Sequence, residues 1–145
     1  MSLHKKRVNV ELRTVIDDEG RKELSIIKQQ GTYMANERVE VITFKEETED
    51  FGPIKNIITI YPNKVTIKRT GLIRMVQQFV VGEKYECLYR HPYGSFLMEI
   101  DTKSIEHKQL RRTDGIGTVC IEYDARMDRN TTRYHHLTLT YTEEK

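Results

Sequence analysis

Apolar and polar residues alternate along most of this chain, and a period of two marks strands with one buried and one wet face. Val8, Val10, Leu12 and Ile16 share a side, with Asn9, Glu11 and Arg13 opposite. Asp17-Asp18-Glu19-Gly20 reads as a turn, because Asp bonds its own backbone and Gly accepts positive φ. A second strand is expected over residues 22–33, bent at Gly31, and a third over 38–45 after a turn at Asn36-Glu37. Further strands follow over 54–61, 64–69, 84–91, 95–102, 117–128 and 132–141. They carry Tyr85, Cys87 and Tyr89, then Val119, Ile121 and Tyr123, then His135, Leu137, Leu139 and Tyr141 on their inner sides. Residues 104–110 read as a helical turn with a thin apolar pattern. Some eight to ten short strands at regular spacing predict an antiparallel sandwich or barrel.

The stretch from Arg69 to Gly82 fits two templates. Leu72, Met75, Val76, Phe79 and Val80 suit a helix face; Ile73, Met75, Phe79 and Val81 suit a strand face, with Gln77 the polar residue among them. Its β-branched and aromatic content favours strand. A three-residue connection at Thr70-Gly71-Leu72 would set Arg69 opposite Ile73, Ile67 opposite Met75 and Val65 opposite Gln77, bringing both apolar sides together.

Composition narrows the class. The chain of 145 residues is read as one domain over 1–145, with residues 1–4 set aside as a flexible end or a scar of expression. A charged fraction of 32% and a net charge of +2 give no sequence-wide footprint for nucleic acid. Two cysteines, Cys87 and Cys120, make neither a disulfide framework nor a metal pair. With no signal pattern and no long apolar run, the expectation is a soluble cytoplasmic protein that engages neither membrane nor nucleic acid.

Arg69-Thr70-Gly71, Met75, Gln77, Phe79 and Gly82, with Tyr123-Asp124 and His135-His136-Leu137-Thr138-Leu139-Thr140-Tyr141, resemble the YwiB-like family of uncharacterised bacterial β-barrel proteins. Val15-Ile16-Asp17-Asp18-Glu19-Gly20 and Thr102-Lys103-Ser104-Ile105 fit as well, so the similarity spans nearly the whole chain. The resemblance implies an all-β, closed, lipocalin-like (calycin-type) antiparallel barrel, mostly an up-and-down meander. It supplies no activity and no catalytic residue. Departures lie in loops, including the basic Arg111-Arg112 connection.

A barrel interior is filled by side chains or holds one small ligand. The ligand reading takes Arg69, Met75, Gln77, Phe79, Tyr89, Tyr123, His135 and Tyr141 as its site, apolar walls with a few orienting polar tips. The alternative is that the tyrosines fill the core with their hydroxyls at the rim, and that Arg69 and Gln77 are paired within the protein. His135 and His136 point to opposite faces and cannot chelate together; no metal or cofactor is expected. Cys87 reads as an inert buried thiol rather than a nucleophile for His135. The leading expectation is therefore a non-enzymatic protein binding a small apolar or amphipathic molecule. The second is a filled barrel that self-associates as a homodimer or meets a protein partner, supported by Val76, Val80, Leu88 and Leu97 on the outer face. An enzyme is the third, on fold analogy alone.

Overall fold

Alternation of this kind lets each strand bury one side against a common core while its backbone pairs with neighbours on both edges. A computed structural model describes residues 4–110, 115–127 and 131–144. Its strands are β1 (His4–Asp18), β2 (Arg21–Ala35), β3 (Glu40–Thr48), β4 (Gly52–Ile60) and β5 (Val65–Thr70). They continue as β6 (Met75–Phe79), β7 (Lys84–His91), β8 (Gly94–Lys108), β9 (Ile116–Arg126) and β10 (Thr132–Glu143). All ten lie in one antiparallel sheet of order β6-β5-β4-β3-β2-β1-β10-β9-β8-β7, an up-and-down meander. No α-helix is present among the described residues, and no helix among them is long and apolar enough to cross a membrane.

The first and last strands are fully zipped, from Val8 opposite Glu143 to Asp17 opposite Tyr134. The loose edges are those of β6 and β7. One bridge, Arg74 to Arg90, joins them through reciprocal backbone hydrogen bonds of 3.0 and 2.8 Å. The expected closed barrel is thus nearly closed, with its seam in mid-chain.

Three local expectations are corrected. Residues 104–110 do not form a helical turn: β8 runs on to Lys108, with a β-bulge between Thr102 and Ser104. The bulge shifts the phase, so Ile100 and Thr102 face the core before it and Ile105 and His107 after it. The Arg69–Gly82 stretch holds a strand with the expected face inward, but Arg69 pairs with Met75, Ile67 with Gln77 and Val65 with Phe79. Its register is two residues from the one expected, because residues 70–74 form the connection instead of three. The segment set aside at the N-terminus already enters β1 at His4, which pairs with Ala35. Arg111-Arg112 lies outside the described residues.

The core runs from Val8 and Val10 through Ile42, Ile58 and Phe79 to Ile121 and Leu139, all at most 3% exposed. Each such side chain contributes about 1.5–3 kcal/mol by leaving water. Strand lengths are unequal: β1, β2 and β8 have 15 residues each, β5 six and β6 five. The connections after β1, β3, β5, β7 and β9 share one end of the barrel; those after β2, β4, β6 and β8 share the other. At the first end the long strands overrun the short ones. β2 pairs with β3 only from Gly31 to Ala35, where a Cβ on Gly31 would come within 2.5 Å of the Thr43 carbonyl oxygen.

Candidate functional site

The two ends carry different chemistry. At the end where β2 turns into β3, Glu40 is 2% exposed although it is charged. Its Oε1 accepts from the Tyr141 hydroxyl at 2.6 Å and lies 2.6 Å from His107 Nε2. Its Oε2 accepts from the Tyr33 hydroxyl and from the Leu110 amide at 3.3 Å. Burial alone would raise the Glu40 pKa; the bonds from His107, Tyr141 and Tyr33 outweigh it and hold the carboxyl below its ordinary value. Burial first, and then the adjoining carboxylate, push the Tyr141 hydroxyl far up. The Tyr33 and Tyr141 rings stack with centroids 5.8 Å apart. Gly117 makes room for them, since a Cβ there would lie 2.1 Å from the Tyr141 ring.

At the opposite end, pairing sets His135 across from Tyr123, and their rings stack at 4.7 Å with 15° between planes. Phe79 meets the Tyr123 ring at 4.8 Å, and the Gln77 amide bonds the Tyr123 hydroxyl. Burial drives the Tyr123 hydroxyl strongly upward, and the Gln77 bond offsets this only in part. In front of this row Met98, Ala125, Met127, Thr131, Arg133 and His135 line a recess of about 360 Å³. That volume lies within the range of small-molecule sites, roughly 300–1,000 Å³.

His135 supplies the polar point of the recess. Its Nδ1 lies 3.3 Å from the Arg133 carbonyl oxygen, which can only accept, so Nδ1 carries the hydrogen. Burial holds the ring below its ordinary pKa, favouring the neutral form. Nε2 is then an acceptor, and it has no partner among the described residues. Arg133 Nε lies 3.4 Å from Asp18 Oδ2 at the rim.

Of the eight candidate residues, Gln77, Phe79, Tyr123 and His135 form this one row. Tyr89, on β7, contacts other rings, its own 5.9 Å from His91 and 6.4 Å from Phe96, and does not line the recess. The other three are elsewhere. Arg69 Nη2 pairs with Glu46 Oε1 at 2.7 Å, and Asn56 donates to the same oxygen at 3.4 Å. Tyr141 belongs to the Glu40 cluster, and Met75 lies under the β6–β7 seam. Glu40 and His107 were not singled out from the sequence. Glu40 had a signal, a carboxylate in phase with Ile42 and Phe44; His107 had none, because only the bulge turns it inward.

These features define an all-β protein whose ten-stranded antiparallel sheet rolls into a nearly closed barrel with one filled and one recessed end. The chain belongs to the DUF1934 family, described as a domain of unknown function, whose pattern matches residues 10–139. It is similar to the uncharacterised β-barrel protein YwiB of Bacillus subtilis (strain 168), with 27% identity over 134 residues, 92% of either chain. The crystal structure of the ywiB protein from Bacillus subtilis superposes with a TM-score of 0.86 at 25% identity, covering 97% of this chain and 94% of that one.

Proposed function

We propose that the protein binds a small amphipathic molecule at the recessed end of the barrel. Its apolar body lies between Met98, Ala125 and Met127, and a neutral hydrogen-bond donor at its head reaches His135 Nε2. The observation that carries this reading is an acceptor without a partner among the described residues at the edge of a largely apolar recess. The polar tips of Arg69, Gln77 and Tyr141 are engaged within the protein, which concentrates the reading on His135. Two free thiols fit a cytoplasmic setting.

The five methionines make the test direct. With methyl-labelled methionine, 1-octanol is expected to move the Met98 and Met127 resonances and to leave Met34 still. Ala125→Leu fills the recess and should remove the response; Met127→Ala, at an exposed position, should weaken it without unfolding. Unmoved Met98 and Met127 signals at saturating octanol would overturn the reading.

Self-association has its own support in β2, whose residues 21–30 have no partner strand on one edge among the described residues and expose Leu24 and Ile26. Sedimentation of the wild type against Ile26→Lys tests it, with a concentration-dependent dimer lost in the variant as the expected result.

A further inference from the structure

The single bridge that closes the barrel sets two arginines side by side. Arg74 and Arg90 are directly opposite in a hydrogen-bonded antiparallel pair, where Cα atoms stand about 5.5 Å apart. Both are exposed, and like charges in that relation repel. Neither guanidinium has an ion pair or side-chain hydrogen bond among the described residues, and the same holds for Lys68. The nearest acid along β7 is Glu86, beyond Leu88 and four residues from Arg90, a run of roughly 13 Å in a strand. Among the described residues neither guanidinium at this weakest point of the sheet has a carboxylate within ion-pair distance. Glu86 nevertheless lines the same cleft, and the acidic run 46–50 leads into Phe51, whose ring lies 4.7 Å from that of His91.

Beyond that bridge the strands part, and no backbone hydrogen bond joins Val76 and Gln78 to Glu86 and Leu88. The gap is a cleft of about 460 Å³ with Met75 and Cys87 at its floor. Cys87 is pushed up by burial, and its sulfur takes up the Val76 amide that a full ladder would have paired with β7. Across the cleft runs an apolar row: Val76, Leu88 and, paired with Leu88, Leu97, each between 43% and 54% exposed. Lys68, paired with Val76, ends the row.

We propose that this seam is a second binding site, for a monoalkyl acid. The anionic head, a carboxylate or a phosphate monoester, sits between Arg74 and Arg90, and the alkyl chain lies along Val76, Leu88 and Leu97. Arginine suits such a head because its planar fork meets two oxygens at once. Binding also cancels the repulsion across the bridge, so the ligand clamps the seam shut. The recess at the barrel end takes a neutral donor and draws its lining from β8, β9 and β10; the two sites share only β8, where Leu97 and Met98 are neighbours on opposite faces.

Two resonances of the apo protein read the seam directly, the amides of Arg74 and Arg90, because their hydrogen bonds are the bridge. Octyl phosphate and octanoate should slow exchange of both amides and move the Met75 methyl, while Met127 stays still. Met98, paired with Cys87, borders both sites and is not used to tell them apart. The tighter of the two acids names the head. Arg74→Gln with Arg90→Gln, both at the surface, should keep the fold and weaken binding about tenfold or more, the loss expected for charge-assisted bonds. Added salt should weaken it as well. Octyl glucoside binding as tightly as the acids, or inorganic phosphate as tightly as octyl phosphate, would overturn the proposal. So would an acid that moves Met127 in place of Met75, a result that leaves the octanol reading of the recess standing.

Discussion

Both oxygens of the Glu40 carboxylate accept two bonds each, whereas His135 at the far end keeps one ring nitrogen without a partner among the described residues. Both groups are held mostly away from water, and burial acts on each. At Glu40 four donors answer that cost, so nothing remains for an outside molecule. At His135 the answer is incomplete, and an apolar recess adjoins it. The contrast separates a polar cluster that shapes the protein from one equipped to recognise something else.

The largest test of that contrast is Glu40→Ala. It strands two tyrosine hydroxyls, a histidine and an amide in the interior, and urea unfolding should show a loss of roughly 3–5 kcal/mol, the usual result of breaking a buried charged network. The octanol response of Met98 and Met127 should survive wherever the variant folds. Gly117→Ala comes next, because its methyl group displaces the Tyr141 ring; a cost of about 1–3 kcal/mol in the same assay is expected for overpacking.

Acid should then dissect the ends by pH. His135 has a folded pKa below its ordinary 6.5, so the stability it contributes is present above pH 6.5 and is lost as pH falls through the folded value. Glu40 has a folded pKa below its ordinary 4.5; its contribution is present above pH 4.5 and is lost only as pH falls through a still lower value. The melting temperature of the wild type should therefore decline in two stages on acidification. His135→Asn should remove the earlier stage and Glu40→Gln the later, and a single unchanged stage in both variants would erase the distinction. Smallest of all, Met127→Ala should change stability by no more than about 0.5 kcal/mol, the range for surface positions, while weakening the octanol response.

Most of the fold was legible because it rests on period two. The alternation of Val8, Val10 and Leu12, or of Val119, Ile121 and Tyr123, assigns faces without any knowledge of partners. Register was less legible. Facing repeats every two residues, so Ile67 opposite Met75 and Ile67 opposite Gln77 satisfy the same apolar pattern, and only the backbone of residues 70–74 decides between them. The bulge after Thr102 defeated the pattern outright, since one extra residue reverses the parity of everything that follows it. That is why the pattern passes over His107 and reads 104–110 as helical. Within the candidate site, Tyr123 and His135 came from parity alone, and the recess beside them came from unequal strand lengths, which no local pattern records.

The zipped pairing of β1 with β10 has a consequence for biogenesis. As a chain emerges from the ribosome, β1 to β6 can meander into a partial sheet with nothing but neighbouring hairpins. The outer edge of β1, which ends in pairs from Val8 to Asp17, must wait for the last strand to be made. Until then about ten residues of pairing surface are open to other nascent chains. Closure joins the two most distant parts of the sequence, the slowest class of contact to form. The order of synthesis thus holds the committing step back until β10 has been made, after the other nine strands, while the mid-chain seam is free to settle once β7 is present.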